Sequence, residues 1–167
     1  MRQQLLLEAD FAWEIRRKDG TLKAQGTGTN RIVNTGLNNI LDRIDGDPAA
    51  QTLYIGLIDK TSFTTGIAAA DTMASHAGWV EFQGYDETVR QTWSPAAAAS
   101  QERSNTTALV FRGGTLGTVK GIFVSTVNTK GGTTGTLIAA GALTSEQPLA
   151  DGETLSLTYR LQASSGA

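Results

Sequence analysis

A chain of 167 residues and 17.6 kDa is long enough for one domain, and a domain of that size buries roughly two thirds of the surface that its unfolded chain exposes. It contains no cysteine, which excludes a disulfide framework and a thiolate metal site and makes folding independent of redox compartment. Fourteen Lys and Arg face sixteen Asp and Glu, for a net charge of -2, and the cations are scattered apart from Arg16, Arg17 and Lys18. The dense basic stripe needed for binding nucleic acid is therefore missing.

The N-terminal stretch carries one cation, Arg2, and an apolar run of only Leu5 to Leu7, too short for a secretory core or a membrane span. A cytosolic origin and no membrane partner are expected. Charged residues make up 18% of the chain and glycines number 19, a balance that favours strands and tight turns over helices. So lean a surface charge also suggests that part of the surface is covered in use.

In chain order, Leu5 to Ile15 puts Leu7, Ala9, Phe11, Trp13 and Ile15 on one side, with Glu8, Asp10 and Glu14 on the other. That is the period-two pattern of a half-buried strand. Lys18-Asp19-Gly20 supplies a turn, and Leu22 to Thr27 returns as the partner strand. Leu37, Ile40, Leu41 and Ile44 then recur at intervals of three and four. They predict a short amphipathic helix, with Asn34 as its cap and Gly46 and Pro48 as its stop.

Leu53 to Ile58 is nearly continuously apolar, as in a strand buried on both faces or an unusually apolar edge strand. Trp79 to Phe82 and Val89 to Trp93 read as short strands around Gly84-Tyr85-Asp86, and residues 94 to 105 read as an exposed loop. Four more strands are expected at Thr106 to Phe111, Val119 to Val127, Thr136 to Leu143 and Thr154 to Leu161, separated by Gly-containing turns, and the last residues should fray. Together these elements predict a mainly β domain, a sandwich or jelly-roll-like body spanning 31–167, with one short helix. Residues 1–30 form a hairpin that could project as an arm. Its row Leu7, Phe11, Trp13 and Ile15 is the candidate assembly interface, because an isolated hairpin is marginal in water and must pack on something.

No catalytic set converges in the sequence. Asp71, Ser75 and His76 lie within six residues, whereas the members of a Ser-His-Asp triad normally come from separate elements; His76 is expected to bond its own loop or to pack under Trp79. One histidine without cysteine makes a poor zinc site. Glu81, Asp86 and Glu87 are formally an acidic set for glycoside chemistry, but acids in such a turn are usually solvated or paired, here with Arg90. The glycines at 113–114 and 131–135 lack the Gly-Lys-Ser/Thr order of a phosphate loop and read as turns. Trp13, Trp79, Trp93, Tyr54 and Tyr85 could offer a sugar-stacking platform, although rings at strand positions more often fill the core. No catalytic, metal or cofactor residue is assigned.

The segment Leu53-Tyr54-Ile55-Gly56-Leu57-Ile58, the string Asp71-Thr72-Met73-Ala74-Ser75-His76-Ala77-Gly78-Trp79 with Ala70 before it, Tyr85 and Arg90 together resemble a family of tailed-bacteriophage virion structural proteins. The C-terminal run 131–137 and Asp151-Gly152-Glu153 are similar to the same family, so the resemblance spans Leu53 to Leu161. It implies a non-enzymatic head decoration or cement protein, made in the host bacterial cytoplasm and placed on the outer capsid surface. Its partners would be the major capsid protein and further copies of itself, as a dimer or trimer. The structural motif residues are then Tyr54, Asp71, His76, Trp79, Tyr85, Arg90 and Trp93. The alternative is a tail or tail-fibre component that touches host surface glycans.

Overall fold

A computed structural model describes residues 4–45 and 51–166, so the helix stop expected at Gly46 and Pro48 lies outside the described residues. The described residues form ten strands and one helix: β1 (Gln4–Arg16), β2 (Leu22–Ile32), α1 (Asn34–Asp45), β3 (Leu53–Asp59), β4 (Glu81–Phe82), β5 (Gln91–Trp93), β6 (Glu102–Ser104), β7 (Leu109–Arg112), β8 (Gly117–Ser125), β9 (Leu137–Leu149) and β10 (Thr154–Gly166). They make a single antiparallel sheet in the order β4-β3-β8-β9-β2-β1-β10-β6, with β5 also on β3 and β7 also on β10. The sheet folds over on itself into a sandwich-like body. Its two ends are stitched by the Asp86 N–H to the Arg112 carbonyl (2.8 Å) and the Gly114 N–H to the Gly84 carbonyl (2.9 Å), and Trp93 of β5 meets Tyr159 of β10 edge to face.

The first hairpin forms where the sequence places it. Asp19 accepts bonds from the Thr21 N–H and hydroxyl, and Gly20 takes the positive φ (83°) that the turn requires. Its two strands are not an arm, however. β1 pairs with β10 over its whole length and with β2 from Ala9 to Arg16, and β2 pairs in turn with β9, which puts the hairpin in the middle of the sheet. Phe11, Trp13 and Ile15 are accordingly core residues, which overturns their assignment to an assembly interface. Only Leu7 of that row stays half-exposed. The glycines of β2 explain the inward turn. Trp13 and Phe11 lie across from Gly26 and Gly28, and a Cβ at Gly28 would come within 2.2 Å of the Phe11 ring.

Two hydrophobic clusters follow from the two faces of β3, β8 and β9. Ile55, Leu57, Ile122 and Val124 fill the interior, whereas Ile58, Phe123 and Ala140 point outward and are roofed by Met73 and Trp79 from the 60–80 segment. Leu53 to Ile58 is thus buried on both faces because a loop, not a second sheet, covers its outer side. Residues 94–105 are also more ordered than an exposed loop. Ala99 and Glu102 close a tight turn over Ser100 and Gln101, both at positive φ, and the Gln101 carbonyl accepts the Ala163 N–H at 2.9 Å. The residues expected to fray instead extend β10, with Ala163 to Gly166 paired to Leu7 through Gln4.

Helix α1 sits on the sheet through its first turn. Val33 is the capping position, since its carbonyl accepts the Leu37 N–H, and Asn34 is already helical. The Thr35 hydroxyl donates to the Leu137 carbonyl, and Gly36 lies so near the Ile138 backbone that a Cβ there would fall 2.0 Å from its carbonyl oxygen. An amphipathic helix ordinarily turns its apolar stripe onto the core. Here only Ile40 of the stripe is half-buried, and Leu37, Leu41 and Ile44 are 39%, 61% and 68% exposed.

Candidate functional site

The roof over β3 and β8 is built from the 71–79 string, and each polar group in it has a local task. Asp71 is buried. One of its oxygens, Oδ2, accepts the Trp79 indole N–H at 3.0 Å and the Ala68 N–H at 3.0 Å. The His76 ring stacks on Trp79 at 4.0 Å, nearly parallel, with Nδ1 2.8 Å from the Trp79 carbonyl. A carbonyl can only accept, so Nδ1 carries a proton, and in the neutral ring Nε2 is left as the acceptor. Asp71 bonds the indole and His76 the backbone, so the Asp-to-His hydrogen bond of a triad is not formed.

Beneath Trp79 the column continues through Phe123, 5.2 Å away, to the Arg90 guanidinium, 4.9 Å from the Phe123 centroid. Arg90 is fully buried, and all five of its N–H donors are used. Nε and Nη2 hold Glu81 at 3.1 and 2.9 Å, Nη2 also reaches the Gly132 carbonyl at 2.7 Å, and Nη1 reaches the Ser125 hydroxyl at 3.2 Å and the Val127 carbonyl at 2.9 Å. Glu81 further accepts the Gly131 N–H at 2.6 Å and the Tyr85 hydroxyl at 3.3 Å. Burial first, then the Glu81 charge, pushes the Tyr85 phenol well above its ordinary pKa. Lys130 lies over the Tyr85 ring at 3.8 Å and donates to the Tyr85 and Glu87 carbonyls, and its own pKa is lowered by burial against the pull of the nearby carboxylates.

Of the acids expected to be solvated or paired with Arg90, Glu81 makes the pair and Asp86 is largely exposed. Arg90 takes Glu81, Asp86 lies 3.7 Å from Arg112, and Glu87 accepts the Arg112 backbone N–H. The recess beside this column, about 300 Å³, is bordered by His76, Gln83, Gly131 and Thr133. The carboxylate and guanidinium at its back are engaged in holding the 126–135 loop to β4 and β8. Among the described residues, no three His, Asp or Glu side chains converge as a metal would need. Trp79, Trp93, Trp13 and Tyr85 are buried and Tyr54 is half-buried, so these rings form no exposed stacking platform.

Of the row expected as an assembly interface, only Leu7 borders an open surface. Where β2 leaves β1 to enter α1, a recess of about 550 Å³ opens between Leu7, Ile32, Leu37 and Ile67. Thr29, Asn30 and Arg31 also line it, so the recess is mixed in character, and Leu5, 59% exposed, lies two residues from Leu7 on the same strand. The signal was present in the Leu5 to Leu7 run and in a helix stripe that no neighbouring element was needed to cover. No family model matches this chain, and no curated protein matches it.

Proposed function

We propose that the chain is a virion structural protein that acts by contact alone, as a decoration or cement protein on the outer shell of a tailed-bacteriophage head. The observation that carries this reading is the apolar stripe of α1. Leu37, Leu41 and Ile44 face solvent while two filled clusters complete the interior without them. A soluble chain that presents such a stripe is suited to dock on a partner, because exposed contiguous apolar surface marks interaction sites. The resemblance of the 71–79 string to phage structural proteins names that partner as the major capsid protein.

The polar features support the same reading. The Asp71–Trp79 and Glu81–Arg90 contacts tie loops down rather than present groups to a substrate. A protein that binds the assembled shell but not free subunits stabilises the shell by RT ln(1 + [L]/Kd) at every site it occupies. Purified particles should therefore carry the chain in shell-like copy number on a stained gel, and particles lacking it should rupture at lower temperature or under milder osmotic shock. Particles that keep full heat resistance yet fail to adsorb to cells would place the chain on the tail instead.

A further inference from the structure

From the unpaired end of β1 we infer that two copies of this chain associate by antiparallel β1–β1 pairing across a two-fold axis centred on Leu6. On its β10 side, β1 is paired from Gln4 to Arg16; on its β2 side, pairing starts only at Ala9, opposite Asn30. On that β2 side only, the backbone of Gln4 to Glu8 offers hydrogen-bonding groups that no described residue takes, while its other side is held by β10. Such an edge is a template for another strand, and proteins that remain monomeric usually blunt it with charge or proline. Here it carries Leu5, Leu6 and Leu7, with Leu5 and Leu6 exposed at 59% and 39%.

What fills the edge must be an extended apolar strand, and the chain's own β1 end fits. Pairing cannot run past Glu8, because Asn30 already occupies the place beside Ala9. Among the described residues, the longest two-fold register that respects this limit puts Leu6 opposite Leu6 of the second copy, Leu5 opposite Leu7, and Gln4 opposite Glu8. No like charges then meet. Leu5 and Leu7 share the face that leads into the core, so Leu5 of the second copy enters the recess bordered by Leu7, Ile32 and Leu37. The same contact covers the leucines of both copies, as a closed isologous interface requires, and it favours a dimer over a trimer. It stands apart from the virion reading, since it concerns the purified chain alone.

The absence of cysteine permits a direct test with the full chain. Directly opposed residues on antiparallel strands lie about 4.5–5.5 Å apart at Cα, within disulfide reach. L6C should form a covalent dimer under mild oxidation at least ~10-fold faster than L116C, a control at an exposed residue outside this edge, because pairing holds the thiols together. Sedimentation of the unmodified chain should show a concentration-dependent dimer. The double variant L5K/L6K should be monomeric and should melt where the unmodified chain melts once diluted to monomer, its side chains being exposed and only the association being lost. A chain that stays monomeric at all concentrations, equal crosslinking of L6C and L116C, or a dimer that survives L5K/L6K would each overturn the inference.

Discussion

Arg90 and Glu81 form a two-pronged ion pair inside the body, with neither side chain appreciably exposed. Such a pair adds little net stability over a well-packed apolar substitute, yet removing one partner strands the other charge without water. The sequence offers Glu81, Asp86 and Glu87 as acids near Arg90 without choosing among them. Geometry chose Glu81, because β4 carries that carboxylate to the back of the 126–135 loop.

Arg90→Ala should accordingly cost about 3–5 kcal/mol in a urea melt, the usual effect of breaking a buried pair. Arg90→Ala combined with Glu81→Leu should recover part of that loss. A single-variant cost below about 1 kcal/mol would show that the pair is solvated in solution.

Trp93 meets Tyr159 edge to face with ring centroids 5.3 Å apart, while its indole N–H has no partner among the described residues. Trp93→Ala should cost about 3–5 kcal/mol, as for emptying any large aromatic site. Trp93→Phe should cost clearly less, because it keeps the ring contact and removes an unbonded donor. Equal costs in denaturant melts would contradict this account of the ring.

Deleting residues 1–30 should abolish cooperative unfolding. The deletion removes β1, nearly all of β2 and the core side chains Phe11, Trp13 and Ile15, and it leaves β10 without its longest partner. A folded, soluble remainder with a sharp thermal transition would restore the arm described by the sequence pattern.

That reversal shows where the sequence was legible and where it was not. Period-two alternation, the Asp19-Gly20 turn and the double-sided apolar run at Leu53 to Ile58 located strands correctly, since each is a local consequence of pleat and turn geometry. Alternation does not say which strand lies alongside. β1 looked self-sufficient with β2, and only the thirteen-residue register with β10 reveals it as central. The helix was legible from its spacing, whereas its orientation depended on Gly36 against Ile138, a contact between residues a hundred positions apart. Of the polar site, His76 packing on Trp79 was foreseeable from their proximity. The Arg90 partner set, drawn from β4, the end of β8 and the 126–135 loop, was not.

Glu153 provides a pH test. Burial acts to raise its pKa, but the 2.6 Å bond from Lys23, the Ala150 N–H and the Lys23 and Arg17 charges together lower it below the unfolded value of 4.5. A carboxylate with a depressed folded pKa contributes stability above its unfolded pKa, and that contribution is lost as pH falls through the folded one. The chain should therefore lose melting temperature below pH 4.5 more steeply than Glu153→Gln does. Parallel pH profiles for the two proteins would show that the Lys23–Glu153 pair contributes nothing.

The most direct test of the shell-binding account is to add the purified chain back to capsids that lack it and measure the occupancy of the shell. The chain should saturate the shell, and the double variant Leu41→Asp/Ile44→Asp should fail to bind while melting at the same temperature, because both side chains already face water. Undiminished binding by that variant would contradict the assignment of α1 as the docking face, and absence of binding by the unmodified chain would contradict the shell reading itself.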